Sequence, residues 1–264
     1  MHRIALAVEY NGTRFRGFQR QASAPTTVQA VLENAIARIA NESISIVCAG
    51  RTDAGVHASE QIVHFDTLAT RPDRAWVKGV NASLPDDVRV HWAKEMPASF
   101  HARFSALARM YRYVIYCADT RPAILHRAVT WTTYPLSLDK MQEAAKCLVG
   151  EHNFSSFRSS QCQAHSPVRN IASLAFLRHG PFIVAQIKAN AFLHHMVRNI
   201  AGTLIDIGRG ARPVEWMVEL LRLKDRTRAS ATASPSGLYL VKAEYDAQFC
   251  VPDTPLGPLF LRNH

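Results

Sequence analysis

With 264 residues, 48% hydrophobic and 20% charged, the chain has the balance of a folded protein of one large domain or two small ones, which excludes disorder. No apolar run approaches the ~20 residues that span a bilayer, and the N-terminus turns polar too early for a secretory signal, so a cytoplasmic, non-membrane protein is expected. The net charge of +10, with 24 arginines among 31 basic residues, points to a polyanionic partner, because the planar guanidinium grips phosphate and stacks on bases.

In chain order, "RIALAVEY" (3–10) alternates Ile4, Leu6, Val8 and Tyr10 on one face, which predicts a strand open to solvent on the other. A basic loop, "NGTRFRGFQRQ", follows; its Arg14, Arg16 and Arg20, beside Phe15 and Phe18, suit phosphate contact with some stacking. Residues 27–40 carry apolar positions at helical spacing behind a Thr26 or Thr27 cap. "SISIVCAG" and "EQIVHFD" read as strands on either side of a polar loop. A helix opens with Pro72 at its first position, and "VRVHWAKEM" is another strand. The stretch 104–118 alternates with Tyr111, Tyr113, Ile115 and Cys117 on one side, and 137–150 reads as a helix closed by Gly150. Residues 169–192 read as a hairpin turning at Gly180-Pro181. "LHHMVRNIAGTLIDIG" and "PVEWMVELLRL" read as helices, and 237–245 as a last strand.

Strand-helix-strand-strand order recurs in both halves. The mixture argues an α+β fold, a largely antiparallel mixed sheet flanked by helices, rather than a doubly wound parallel one. Two similar halves are expected, 1–118 and 119–264, with an active-site cleft between them.

Several chemistries find no support. The five widely spaced cysteines contain no C-x-x-C pair, so buried free thiols are expected and neither a disulfide framework nor a thiolate zinc site. P-loop and dinucleotide fingerprints are absent, so no nucleotide cofactor is expected. "VHASEQ" lacks the H-x-E and P-C-x-x-C of a nucleobase deaminase. Read as helical neighbours, His194 and His195 point ~100° apart and do not share a metal ion, so no metal site is assigned. The "AGRTDAGVH" loop leaves two readings open. Asp53 between Gly50 and Gly55 fits an Asx-turn at a hairpin tip, or a carboxylate held out beside Arg51 for chemistry with a bulky ligand.

"GRTDAGVHA" resembles the active-site signature of the A-type tRNA pseudouridine synthases, and it does not stand alone. "VEYNGTRFRGFQRQ", "SFHARFSALARMYRYVIY", "NFSSFRSSQCQAHSPVRN", "IKANAFLHHMVRNIAG", "KDRTRASATASPSGLYLV" and "GPLF" resemble the same family in the same order, from about residue 3 to 261. The resemblance implies the pseudouridine synthase fold and an isomerase that converts uridine to pseudouridine at positions 38–40 of the tRNA anticodon stem-loop. It also implies a homodimer meeting one tRNA, with no cofactor, since the atoms of uridine are only rearranged. Carried over residue by residue, Asp53 is the nucleophile. It attacks C1′ or C6 of the target or removes the C2′ proton, and each route requires an ionised carboxylate, a form that a nearby guanidinium favours. Arg198 matches the arginine paired with that aspartate. Tyr111 matches the active-site tyrosine, suited to stacking on the extruded base and to proton removal from C5. Leu238 matches the apolar residue packed against the target nucleotide. Arg51, Arg71, Phe100, His101, Ala102, Arg103, Phe104, Gln161, Cys162, Gln163, Ala164 and His165 fall where the family touches tRNA.

The chain departs from the pattern at Ala58-Ser59-Glu60, where smaller residues are expected. A non-catalytic RNA-binding protein or tRNA-folding factor on the same fold is the alternative. It would need the basic loops but not Asp53, Tyr111 and Arg198 together.

Overall fold

The computed structural model describes residues 1–21 and 26–261. By contacts the chain forms two compact units, Met1–Arg109 with the segment from Tyr239 to Leu261, and Met110–Leu238.

In the first unit, strand β1 (His2–Tyr10) lies between β3 (His57–Thr67) and β4 (Val88–Met96), antiparallel to both. The short β2 (Val47–Cys48) pairs antiparallel with β3, and β10 (Leu238–Tyr245) joins it in parallel through Tyr239 opposite His57 and Leu240 opposite Ala58. Helix α1 (Val28–Ala40) starts where its cap predicts, with the Thr27 hydroxyl accepting the Ala30 N–H. Helix α2 (Asp73–Ser83) starts one residue later than expected, so Pro72 precedes the first turn instead of opening it. Trp76 of α2 packs edge-on to Phe65, with ring centroids 5.3 Å apart. Phe65 pairs with Ile4, which places the Ile4, Leu6 and Val8 face of β1 toward that helix.

The opposite face of β1 is not open to solvent. Ala5 and Ala7 are fully buried in a second cluster with Ile62, Met96, Phe100, Ala243 and Phe249. A strand covered on both sides loses its polar alternation, and alanines fit where large aromatics press on it.

In the second unit, β5 (Ala106–Cys117), β9 (Phe182–Ala189), β8 (Val168–His179) and β7 (Gly150–Asn153) follow one another in the sheet. The antiparallel pair β8 and β9 turns through Gly180 in the left-handed region, φ +54°. A three-residue strand, β6 (Thr130–Thr132), pairs in parallel with β5. Helix α3 (Leu138–Ala145) ends in a 3-10 turn, and Gly150 opens β7 instead of closing the helix. Helices α4 (Met196–Gly208) and α5 (Trp216–Leu223) complete the unit. The protein is α+β with a mostly antiparallel sheet. Among the described residues, no helix is long and apolar enough to cross a membrane.

Candidate active site

Asp53 sits on the loop joining β2 to β3, and neighbouring backbone holds that loop on both sides. The carbonyl of Thr52 accepts the Phe18 N–H (3.0 Å), the carbonyl of Asp53 accepts the Val56 N–H (3.1 Å), and Gly55 donates to the Phe15 carbonyl (3.3 Å). Gly55 takes φ +78°, whereas Gly50 is anchored at its N–H and its carbonyl by the side-chain amide of Gln61. Beneath the loop, the Gly12 N–H donates to His57 Nδ1 (3.1 Å), and a Cβ on Gly12 would stand 1.9 Å from the Val56 carbonyl oxygen. His57 in turn stacks on Tyr239, centroids 4.7 Å apart. The Asp53 side chain is half-buried and Arg51 is exposed.

This clamp accounts for the "NGTRFRGF" stretch. Phe15 and Phe18 are buried under the Asp53 loop, so they do not offer rings to a base. Of the three arginines in the longer loop "NGTRFRGFQRQ", two are ion-paired, Arg14 with Asp87 and Arg20 with Glu33. The unusual Ser59 and Glu60 also lie buried on β3, with Ser59 against Gly257.

The "FHARF" segment divides by burial. Phe100 and Ala102 are core residues, whereas Arg103 and Phe104 face outward, the guanidinium 5.4 Å from the Phe104 ring centroid. His101 shapes the turn, accepting the N–H groups of Arg103 (3.2 Å) and Phe104 (3.1 Å) at Nδ1 while stacking on Phe104. Arg71 is exposed just before α2.

In the second unit, Tyr111 on β5 is 7% exposed and meets Phe192 edge-to-face, centroids 5.1 Å apart. Tyr113, two residues on, is a core residue whose hydroxyl donates to the Ser234 carbonyl (2.9 Å) and bonds the Thr130 hydroxyl (2.7 Å). Burial pushes its phenol well above the usual tyrosine range, against the pull of the Arg198 charge. Arg198 stands in the first turn of α4, where its Nε donates to the Ala233 carbonyl (2.9 Å) and its own carbonyl accepts the Ala233 N–H (3.2 Å). Leu238, 5% exposed, opens β10 five residues after Ala233.

The "QCQAH" segment exposes Gln161, Gln163 and His165 and half-buries Cys162 and Ala164. Arg158 donates to the carbonyls of Cys162 and Ala164, both at 2.8 Å, and the His194 N–H points at Cys162 Sγ. Burial raises the Cys162 thiol, but the N–H groups of Ala164 and His194 and the Arg158 charge outweigh it, leaving its pKa below that of an ordinary thiol. The other free cysteines are half-buried apart from Cys250, which is exposed, so uniform burial does not hold. His194 and His195 are not helical neighbours. Helix α4 begins only at Met196, His195 takes φ 64°, and the two rings lie 4.0 Å apart, so the divergence argument does not apply to them.

Residues 6–105 and 144–246 match the family model described as tRNA pseudouridine synthase. The chain belongs to the tRNA pseudouridine synthase family. It is 56% identical over 261 residues to tRNA pseudouridine synthase A of Yersinia pseudotuberculosis serotype O:1b (strain IP 31758), covering 99% of this chain and 98% of that protein. It is also 56% identical over 259 residues to the protein of that name from Pseudomonas aeruginosa PAO1, covering 98% and 91%. A solved Cbf5–Nop10–Gar1 complex aligns with 90% of this chain and 48% of its own, at 12% identity and a TM-score of 0.40.

In this tRNA pseudouridine synthase, an isomerase whose substrate is tRNA, the supporting residues are what sequence reasoning missed. Arg109 donates to the Ala49 carbonyl from Nε (3.0 Å) and Nη2 (2.9 Å) and to the carbonyls of Ala106 and Arg103, tying the base of the Asp53 loop to the Arg103 turn. Asn199, buried beside Arg198, donates to the Phe157 carbonyl (2.8 Å) and accepts from Arg226 (3.0 Å) and Thr232 (2.7 Å). Arg226 also bonds the Ser230 carbonyl, so one hub fastens the 226–237 strap to α4. Nothing local marks these residues, because their partners lie up to 60 residues away.

Proposed function

We propose that the chain isomerises uridine to pseudouridine at positions 38–40 of the tRNA anticodon stem-loop, with Asp53 as nucleophile. The observation that carries this reading is the clamped Asp53 loop. Its backbone is already hydrogen-bonded to Phe15 and Phe18, so the carboxylate needs little reorganisation on meeting a substrate.

In the reaction the N1–C1′ bond breaks, the uracil turns, and C5 bonds to C1′. The C5 proton leaves and N1 takes one up, so no electrons are exchanged and no redox group is required. Asp53 acts at C1′, at C6 or on the C2′ proton. Tyr111 is assigned to stacking on the base and to the C5 proton, Arg198 to the charge of the carboxylate, and Leu238 to apolar contact with the nucleotide. Arg51 and Arg71, with the exposed Arg103, Phe104, Gln161, Gln163 and His165, offer the cationic, aromatic and polar contacts of an RNA grip. The protein works as a homodimer in the cytoplasm, and light scattering should return twice the 29.4 kDa chain mass.

Tritium release from anticodon stem-loops labelled at uridine C5 tests the assignment. Asp53→Ala should release none while still binding tRNA. Release at the wild-type rate would defeat Asp53 as nucleophile, whereas a wild-type protein that binds tRNA but releases no tritium would leave the non-catalytic RNA-binding reading.

A further inference from the structure

Two buried hydroxyls meet next to Asp53. Tyr10 ends β1, is 2% exposed, and is paired across the sheet with Ala58 on β3 and Val88 on β4. Its Oη lies 2.8 Å from Thr52 Oγ1, which is buried too. The Tyr10 ring also lies against Phe18 (centroids 6.0 Å), whose N–H holds the Thr52 carbonyl. Thr52, the residue before Asp53, is therefore gripped through its side chain by Tyr10 and through its carbonyl by Phe18. Phenylalanine and valine would fill the same space. Burying a hydroxyl pair carries a desolvation cost that the mutual bond roughly offsets, so packing alone does not select it.

We propose that the Tyr10–Thr52 hydroxyl pair is a positioning device that fixes the peptide carrying Asp53, so that the carboxylate is aimed before tRNA arrives. This rests on Asp53 being the nucleophile. The pair touches no substrate. It transmits the rigidity of a central strand to the reacting group, and a misplacement of ~1 Å at such a group reduces rate on the order of 100-fold.

The test is a double-mutant cycle of Tyr10→Phe, Thr52→Val and both together, reading kcat, KM and Tm for each. Each single variant breaks the hydroxyl pair and should lose stability. The double variant removes both groups and should regain much of it. Positioning predicts that kcat falls at least tenfold in all three with KM within twofold, and that the double variant stays slow although its Tm recovers. If kcat follows Tm back up, or if the single variants keep the wild-type kcat, the pair is structural and the proposal is overturned. Asp53→Ala run alongside separates the two levels. An inactive Asp53→Ala with fast pair variants overturns the positioning alone, whereas an active Asp53→Ala overturns the nucleophile with it.

Discussion

His64 occupies a place where a proton is disfavoured. On β3 it faces Ala5 across the strand pair, accepts the Ala102 N–H at Nδ1 (3.1 Å), and is edged by Phe100 and His101. Burial first, then the charges of His101 and Arg3, bring its pKa down to about 4 from an ordinary 6.5, with Asp66 opposing. Between those values the unfolded chain binds a proton that the folded one refuses. The contribution is therefore whole above pH 6.5 and is lost as the pH falls toward 4. Asp66, held below the usual carboxylate range by its bond to Arg3, acts only at lower pH. Calorimetric Tm should fall between pH 6.5 and 4 in the wild type, with a shallower fall in His64→Gln. Equal slopes would refute the assignment. The same neighbourhood shows what a sequence conceals at this scale. "FHARF" reads as one stretch of tRNA contact, yet Phe100 and Ala102 close the core while Arg103 and Phe104 point out, and a turn has no periodicity from which to tell them apart.

Among elements, those with a local signal were legible. Helix α1 has a threonine cap and an apolar stripe, β4 opens with alternation at Val88, Val90 and Trp92, and β8 and β9 have a glycine turn between them. Where partners decide, the reading failed. Strands β6 and β7 are too short to show a pattern, Gly150 serves a strand and not a helix end, and a left-handed His195 delays α4 by three residues. The clamp under the Asp53 loop belongs to this scale as well. Gly12→Ala puts a methyl group on the Val56 carbonyl, an overpacking of ~1–3 kcal/mol. It should lower Tm by several degrees and cut tritium release at least tenfold. A variant with wild-type melting and turnover would mean that the loop moves aside freely.

For the molecule as a whole, charge makes the testable statement. A net +10 carried mainly by arginine implies that tRNA binding releases counterions, so log affinity should fall linearly with log salt in filter-binding titrations. Arg103→Ala should reduce that slope by about one while weakening all tRNAs alike. A flat salt response would contradict the assignment of the basic surface. At this scale the motifs were informative because seven of them occur in family order along one chain. The assembly of the units was not, because the first unit is interrupted by all of Met110–Leu238 before it resumes at Tyr239.

That interruption matters most during synthesis. His57 and Ala58, the first residues of β3 and close neighbours of Asp53, find their parallel partners Tyr239 and Leu240 only about 180 residues further along. While the ribosome makes the intervening unit, the emerging first unit keeps the β3 edge bare at His57 and Ala58, beside the Asp53 loop, the kind of edge that recruits foreign strands. Chains stopped before Tyr239 leave that edge bare for good, which makes them clients for chaperones and proteases rather than slow enzymes.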